Sequence, residues 1–396
     1  MRTLANKNFF LVLAAAILLA GLILVLAHAK TRSLAAGKQQ TSAGTDCSAS
    51  NNQELCWQQQ MKQTLQSQGL PAAFDILANL YDTAPAFASQ CHAFTHELGQ
   101  EAYEMFASHQ DFELNSKTQY CGYGFYHGFM ETLLQSTGDV SQAQNFCAYV
   151  GKKLAGQTSD GEGACYHGIG HGAVDGTDIK AWGNPQAMID PSLKLCKFAS
   201  GDNQQFLYRC VTGVYNALEI LSSDPQYKLT MIQKNPFWLC PSQPEFYKEP
   251  CYTNMLPSLL RFTNNDLVKS EKMIEKIPEQ TAIKTTVSYS LFHEFIRLNL
   301  ERPNYNIENG VQICHGLADP YRLSCIEGLA GGHMKYGDPQ QAYVKGLAFC
   351  KMPILKSDEE DSCYNTILTR LPIWYSPAKS AEICSSVDVK FQTYCR

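Results

Sequence analysis

CGYGFYHG at residues 121–128 and CYHGIGHG at residues 165–172 are the segments from which the fold is read. Each opens on a cysteine, Cys121 or Cys165. Each places a glycine three positions later, Gly124 or Gly168, a histidine six later, His127 or His171, and a second glycine after that, Gly128 or Gly172. Cys210-Val-Thr-Gly213 and Cys325-Ile-Glu-Gly328 share the start of the pattern, and Cys251 and Cys363 open similar segments without the glycine. Cys121, Cys165, Cys210 and Cys251 are 44, 45 and 41 residues apart, and Cys325 and Cys363 are 38 apart. A period near ~40 suits a helix–loop–helix unit repeated along the chain.

The rest of the sequence agrees with helices. PAAFDILANLYD at 71–82 and AKSAEIC at 378–384 carry apolar residues at three- and four-residue spacing. Strict alternation is scarce and β-branched residues do not cluster. GDVSQA at 138–143 and GDPQQA at 337–342 read as helix starts, with Asp139 or Asp338 as cap and Pro339 at the first helical position, each helix running on to a cysteine, Cys147 or Cys350.

The sixteen cysteines all follow residue 46. Paired in order they give Cys47–Cys56, Cys91–Cys121, Cys147–Cys165, Cys196–Cys210, Cys240–Cys251, Cys314–Cys325, Cys350–Cys363 and Cys384–Cys395, most of them enclosing a short interhelical loop. Sequence does not prove connectivity. The alternative, bridging the two ends of one unit as in Cys121 to Cys147, leaves the terminal cysteines without obvious mates. A dense, even set of cysteines belongs to an oxidising compartment.

Phe9 to Ala29 is a run without a charged side chain. At ~1.5 Å per residue it spans roughly a 30 Å hydrocarbon core. It is expected to be a single transmembrane anchor. Ala27-His28-Ala29 also fits a small-x-small cleavage site, the alternative reading, and either one exports the remainder of the chain. The expected organisation is a cytoplasmic N-terminus at 1–8, the membrane segment at 9–29, a flexible tether at 30–57 rich in Ser, Ala, Gly, Thr and Gln, and an extracytoplasmic all-helical repeat domain at 58–396. Net charge is -5 and no basic run occurs, which argues against nucleic acid.

The layout from about Cys91 to Cys395 resembles exported, cysteine-rich relatives of tetratricopeptide repeats, in which disulfides staple neighbouring helices. The GFYHG, HGIGHG and Cys314-His315-Gly segments also look like the helix starts of lanthionine-cyclase-like α/α barrels. That family binds zinc through cysteine and histidine, whereas Cys314 here reads as half a disulfide, so only the shape carries over. The expected fold is all-α, a disulfide-stapled solenoid or toroid with inner helices facing a shared concavity.

Five histidines, His92, His96, His127, His167 and His171, fall at the starts of three successive helices. In the pairs His92/His96 and His167/His171 a four-residue spacing puts both imidazoles on one helical face, the way a helix offers two nitrogens to zinc, copper or iron. These five are the candidate metal ligands, for zinc first, with copper or haem as alternatives and no metal at all as the plain one. Glu97 and Glu131 are candidates for a catalytic base or for orienting a ligand; Asp175 shares Glu131's repeat position, and Glu294 follows His293. HAFTHE at 92–97 is neither H-E-x-x-H nor its inversion, so no peptidase is implied. The glycines and Tyr123, Phe125, Tyr126 and Phe129 read as packing residues, and His315 and His333 as structural or rim residues. No nucleophile elbow, phosphate loop or dinucleotide fingerprint occurs. The competing reading is a non-enzymatic scaffold that presents a concave surface to a peptide or another envelope protein.

Overall fold

The computed structural model describes residues 47, 50–110, 113–301, 306–338 and 340–395, and among them there is no β-strand. The membrane segment expected at 9–29, its cytoplasmic flank and most of the tether lie outside these residues. No described helix is long and apolar enough to cross a membrane. The tether ends earlier than expected. Helix α1 (Gln53–Gln68) starts at Gln53 because the Asn52 side chain accepts the Leu55 amide at 3.0 Å and caps it.

The chain divides into residues 1–56 and 57–396. The second unit holds α2 (Leu70–Thr83), α3 (Pro85–Ala88), α4 (Cys91–Ala107), α5 (Tyr120–Thr137), α6 (Val140–Leu154), α7 (Gly161–Asp175), α8 (Pro185–Ser200) and α9 (Gln204–Ser222). It continues with α10 (Thr230–Lys234), α11 (Glu245–Asn254), α12 (Leu256–Phe262), α13 (Leu267–Glu275), α14 (Thr281–Glu301), α15 (Ile307–His315) and α16 (Tyr321–Tyr336). It ends with α17 (Ala342–Cys350), α18 (Ser357–Leu368), α19 (Leu371–Trp374) and α20 (Pro377–Ser385). Asn and Asp start many of these helices by accepting a first-turn amide: Asp139 on Ser141 and Gln142, Asn184 on Ala187, Asn203 on Phe206 and Asp266 on Lys269. In the GDPQQA stretch, Asp338 takes the Gln340 and Gln341 amides but the α-helix begins only at Ala342.

All eight disulfides are the sequential pairs. Cys147–Cys165, Cys196–Cys210, Cys314–Cys325 and Cys350–Cys363 each tie one helix to the start of the next, and no described cysteine is free. Each bridge is worth ~3 kcal/mol in the chain-entropy model.

Inside the bridged layers, α4, α5, α7, α9, α11, α14 and α16 pack in succession, and α16 comes back against α5. Side-chain and backbone contacts between early and late segments accompany this return. Tyr123 and Trp374 stack with ring centroids 5.2 Å apart, the Tyr81 hydroxyl donates to the Tyr336 carbonyl at 2.6 Å, and the Ser159 amide donates to the Pro372 carbonyl at 2.9 Å. The inner helices of this unit therefore enclose one interior. Aromatic side chains fill the space between layers: Phe129 stacks on Phe146 at 3.9 Å, and Phe125 and Tyr126 are fully buried.

The repeat glycines sit where the inner helices cross. A Cβ on Gly128 would stand 1.9 Å from the His96 carbonyl oxygen, one on Gly170 2.0 Å from that of Cys210, and one on Gly213 2.0 Å from that of His167. Backbone meets backbone, with no room for a methyl group. Gly128→Ala is expected to cost about 4 kcal/mol or more, the range of the most disruptive substitutions. Gly138→Ala, at the left-handed end of α5 with nothing within 4 Å, should cost only about 1 kcal/mol. Urea unfolding midpoints compare them, and equal losses would contradict the crossing geometry.

A second consequence concerns Glu271 on α13. Burial, opposed by the Ser288 hydroxyl and reinforced by the Glu275 charge, pushes its carboxyl up to about 7. The folded state thus holds this proton more tightly than the unfolded chain. The stability it contributes is full below about pH 4.5 and is lost as pH rises to about 7, a change of about 3 kcal/mol. Glu271→Gln should flatten that decline when stability is measured from pH 4 to 8.

A histidine cluster shared by three inner helices

Helix α5 does not start as a regular helix. Cys121, Gly122 and Tyr123 all have left-handed backbone angles, with φ of 55°, 73° and 68°. The Cys121 carbonyl thereby stays outside the helical ladder and accepts a hydrogen bond from His92 Nδ1 at 2.8 Å. Because a carbonyl only accepts, that nitrogen carries the proton and His92 Nε2 keeps its lone pair. The same logic fixes His167 on α7. The Thr212 hydroxyl donates to the Arg209 carbonyl at 2.6 Å, so its oxygen accepts from His167 Nδ1 at 2.8 Å and leaves the His167 Nε2 lone pair available.

His127, His167 and His171 come together. Each offers a ring nitrogen, and the three nitrogens lie within 4.8 Å of one another. The His127 and His171 rings stack at 4.1 Å, and His167 is 4.9 Å from His127 by ring centroids. His127 is 2% exposed, and neither of its nitrogens has a hydrogen-bond partner. A buried polar atom left alone costs on the order of 1–3 kcal/mol, so such an imidazole is suited to hold a ligand of its own.

The other two candidate ligands are near but differently employed. His92 stands as far from His127 as His167 does, 4.9 Å ring to ring, but is not one of the three histidines whose nitrogens lie within 4.8 Å of one another. His96 Nε2 donates to Glu131 Oε2 at 2.7 Å. Glu131 Oε1 takes His171 Nδ1 at 3.1 Å, and His171 Nε2 reaches Asn216 Oδ1 at 2.8 Å. Glu131 is thus the shared clamp of two imidazoles. Glu97 is not brought to the cluster; its carboxylate accepts the Gln58 amide at 2.7 Å on the side facing α1. His315 bonds Glu359 at 2.9 Å and is structural, and Glu294 takes Arg297 Nε and the Tyr336 hydroxyl, each at 2.6 Å.

Charge follows burial. Burial first, then the neighbouring imidazoles, holds His127 well below the usual histidine range. His167 is likewise well below it, and His92 falls to about 4, its Cys121 hydrogen bond notwithstanding. His171 differs: burial pushes it down, but the hydrogen bond and charge of Glu131 outweigh this and raise it. Glu131 responds in kind. Its burial penalty is overcome by His171 and His96, which bring it to about 2, while burial and the Glu131 charge push Asp175 up to about 7. The interior therefore offers neutral imidazoles at His92, His127 and His167, the form a metal requires, while His171, held by Glu131 and Asn216, would give up a proton on binding one.

Two partners went unread in the sequence, Thr212 and Asn216. Asn216 lies six residues after Cys210, the offset of His127 and His171, and that register was the available signal. Thr212 carries none.

Glu131→Gln removes the carboxylate that raises His171 but leaves its burial. In the metal-free protein the His171 imidazole should then titrate below the ordinary histidine value, whereas with Glu131 in place it titrates above it. Histidine ring proton shifts followed by NMR against pH read this directly, and an unmoved midpoint would refute the clamp. No family model, curated protein or solved structure matches this chain.

Proposed function

We propose that His127, His167 and His171 hold one divalent transition metal, zinc in the first instance and copper as the competitor, in the body of an exported helical-repeat protein anchored to a membrane through residues 9–29. The eight disulfides suit an oxidising, extracytoplasmic compartment. The observation that carries the metal reading is His127, buried and unpartnered between two other imidazoles whose nitrogens stand within 4.8 Å. Tetrahedral zinc with ~2.1 Å bonds needs nitrogens ~3.4 Å apart, so binding would draw the three imidazoles together from their spacing within 4.8 Å and release His171 from a present partner.

A three-histidine set leaves one position of a tetrahedral ion open, as catalytic rather than structural zinc sites do, and there the ion would acidify a bound water. Glu131 fits the role of the carboxylate that orients a ligating imidazole, since its two oxygens are given to His96 and His171.

Metal analysis of the purified full-length chain should find about one transition metal per molecule. It should be lost in the His167→Ala/His171→Ala double variant and kept in Glu97→Gln. A folded chain that carries no metal and takes up neither zinc nor copper would overturn this reading in favour of a metal-free binding scaffold.

A further inference from the structure

An ion bound for the triad must pass from solvent to buried nitrogens. His127 and His171 are each 2% exposed, and His167 is half-buried. A hydrated divalent ion gives up its waters as replacement ligands come within reach, so a buried site needs donors along its entry path. His92, in the first turn of α4, is exposed to solvent, and its ring stands 4.9 Å from that of His127.

His92 is mounted as a metal ligand is, although it lies outside the triad. Ligating imidazoles almost always donate their second N–H to a carbonyl, a carboxylate or water, which fixes the tautomer and the ring's orientation. His92 Nδ1 donates to the Cys121 carbonyl at 2.8 Å, and among the described residues its Nε2 has no hydrogen-bond partner. Donor and acceptor are also tied covalently, because Cys91, which precedes His92, is bridged to Cys121. The acceptor is freed for this role by three successive left-handed residues, of which Cys121 and Tyr123 are not glycine. Left-handed backbone at such residues is strained, and strain of this kind collects at functional sites. His96, one turn along α4, differs: its Nε2 is given to Glu131. His127 is the next donor inward from His92. Neither of its nitrogens has a partner, and its ring neighbours those of His167 and His171 as well as that of His92.

We infer that His92 is the entry ligand of the triad: its Nε2 takes a divalent transition metal from solvent and passes it to His127. This role rests on the metal reading. The transfer is ligand exchange, with no change of oxidation state. A bond to His92 forms as one bound water leaves; bonds to His127, His167 and His171 then form as the His92 bond and further waters are given up, and the proton displaced from His171 goes to solvent. A ligand used only in passage lowers the barrier in both directions. Loading and release therefore change by one factor and the equilibrium affinity stays where it was, whereas a resident fourth ligand would change the affinity.

The test follows zinc, and cobalt(II), whose visible bands report its ligands, on the purified full-length chain stripped of metal. In His92→Ala the rate of loading and the rate of release to a strong chelator should each fall at least ten-fold. The dissociation constant should stay within three-fold of wild type and the final cobalt spectrum should be unchanged. Glu97→Gln should match wild type throughout. Should His92→Ala fail to fold, His92→Phe, which keeps a ring without its nitrogens, is read against the same marks. Slowing of less than ten-fold overturns the inference by placing the entry elsewhere. An affinity weakened more than three-fold, or altered cobalt bands, overturns it by making His92 a resident ligand. A wild-type chain that takes up neither ion overturns the metal reading, and the entry role falls with it.

Discussion

Every feature of the interior depends on inner helices that touch through their backbones. At Gly99, Gly124, Gly128, Gly168, Gly170 and Gly213 the nearest atoms of the neighbouring helix include carbonyl oxygens or backbone nitrogens, closer than any side chain allows. Helix separation is set by what stands at the contact, and glycine brings it to its minimum. Side chains flanking the contact then face one another at short range. That is why imidazoles of α5 and α7, more than forty residues apart in sequence, stack at 4.1 Å.

Such crossings bury little apolar side chain of their own, and each layer of two helices has little core. The disulfides meet this weakness. Bridges such as Cys147–Cys165 and Cys196–Cys210 join one helix to the next inner helix just where the chain turns inward, and aromatic residues such as Phe129 and Phe146 fill the space between layers. Bridges also restrict the unfolded chain, which matters most where burial is thin. Covalent stapling and glycine crossings are thus two halves of one solution: close approach in the middle, cross-links at the turns.

The enclosed interior is divided by charge. On one wall burial keeps His92, His127 and His167 uncharged, and Glu131 commits both oxygens to His96 and His171. On the other stand two cations, Lys335 over the Tyr336 ring with the Glu294 charge nearby and Arg370 over the Tyr289 ring. The contrast arises from substitutions at equivalent repeat positions: His127, His171, Asn216 and Gly331 at one offset from the cysteine, and Glu131, Asp175 and Lys335 at another. A repeat that varies only its inward residues can build different surroundings from one scaffold.

The repeat, the helices, the cysteine register and the packing role of the glycines were legible in the sequence, because each is a local or periodic property: spacing near ~40, apolar residues every three or four positions, and cysteines bracketing turns. The histidines too could be named as a group. Which of them meet could not be read. His92 and His96 have the same spacing as His167 and His171, yet one pair is drawn apart by Cys121 and Glu131 while the other joins His127. Glu97 follows a site histidine by one residue, and a helical step of ~100° turned it away to Gln58. Periodicity fixes the face on which a residue lies. Only the closing of the helices on one another decides which faces confront each other, and so which nitrogens, oxygens and charges share a common space.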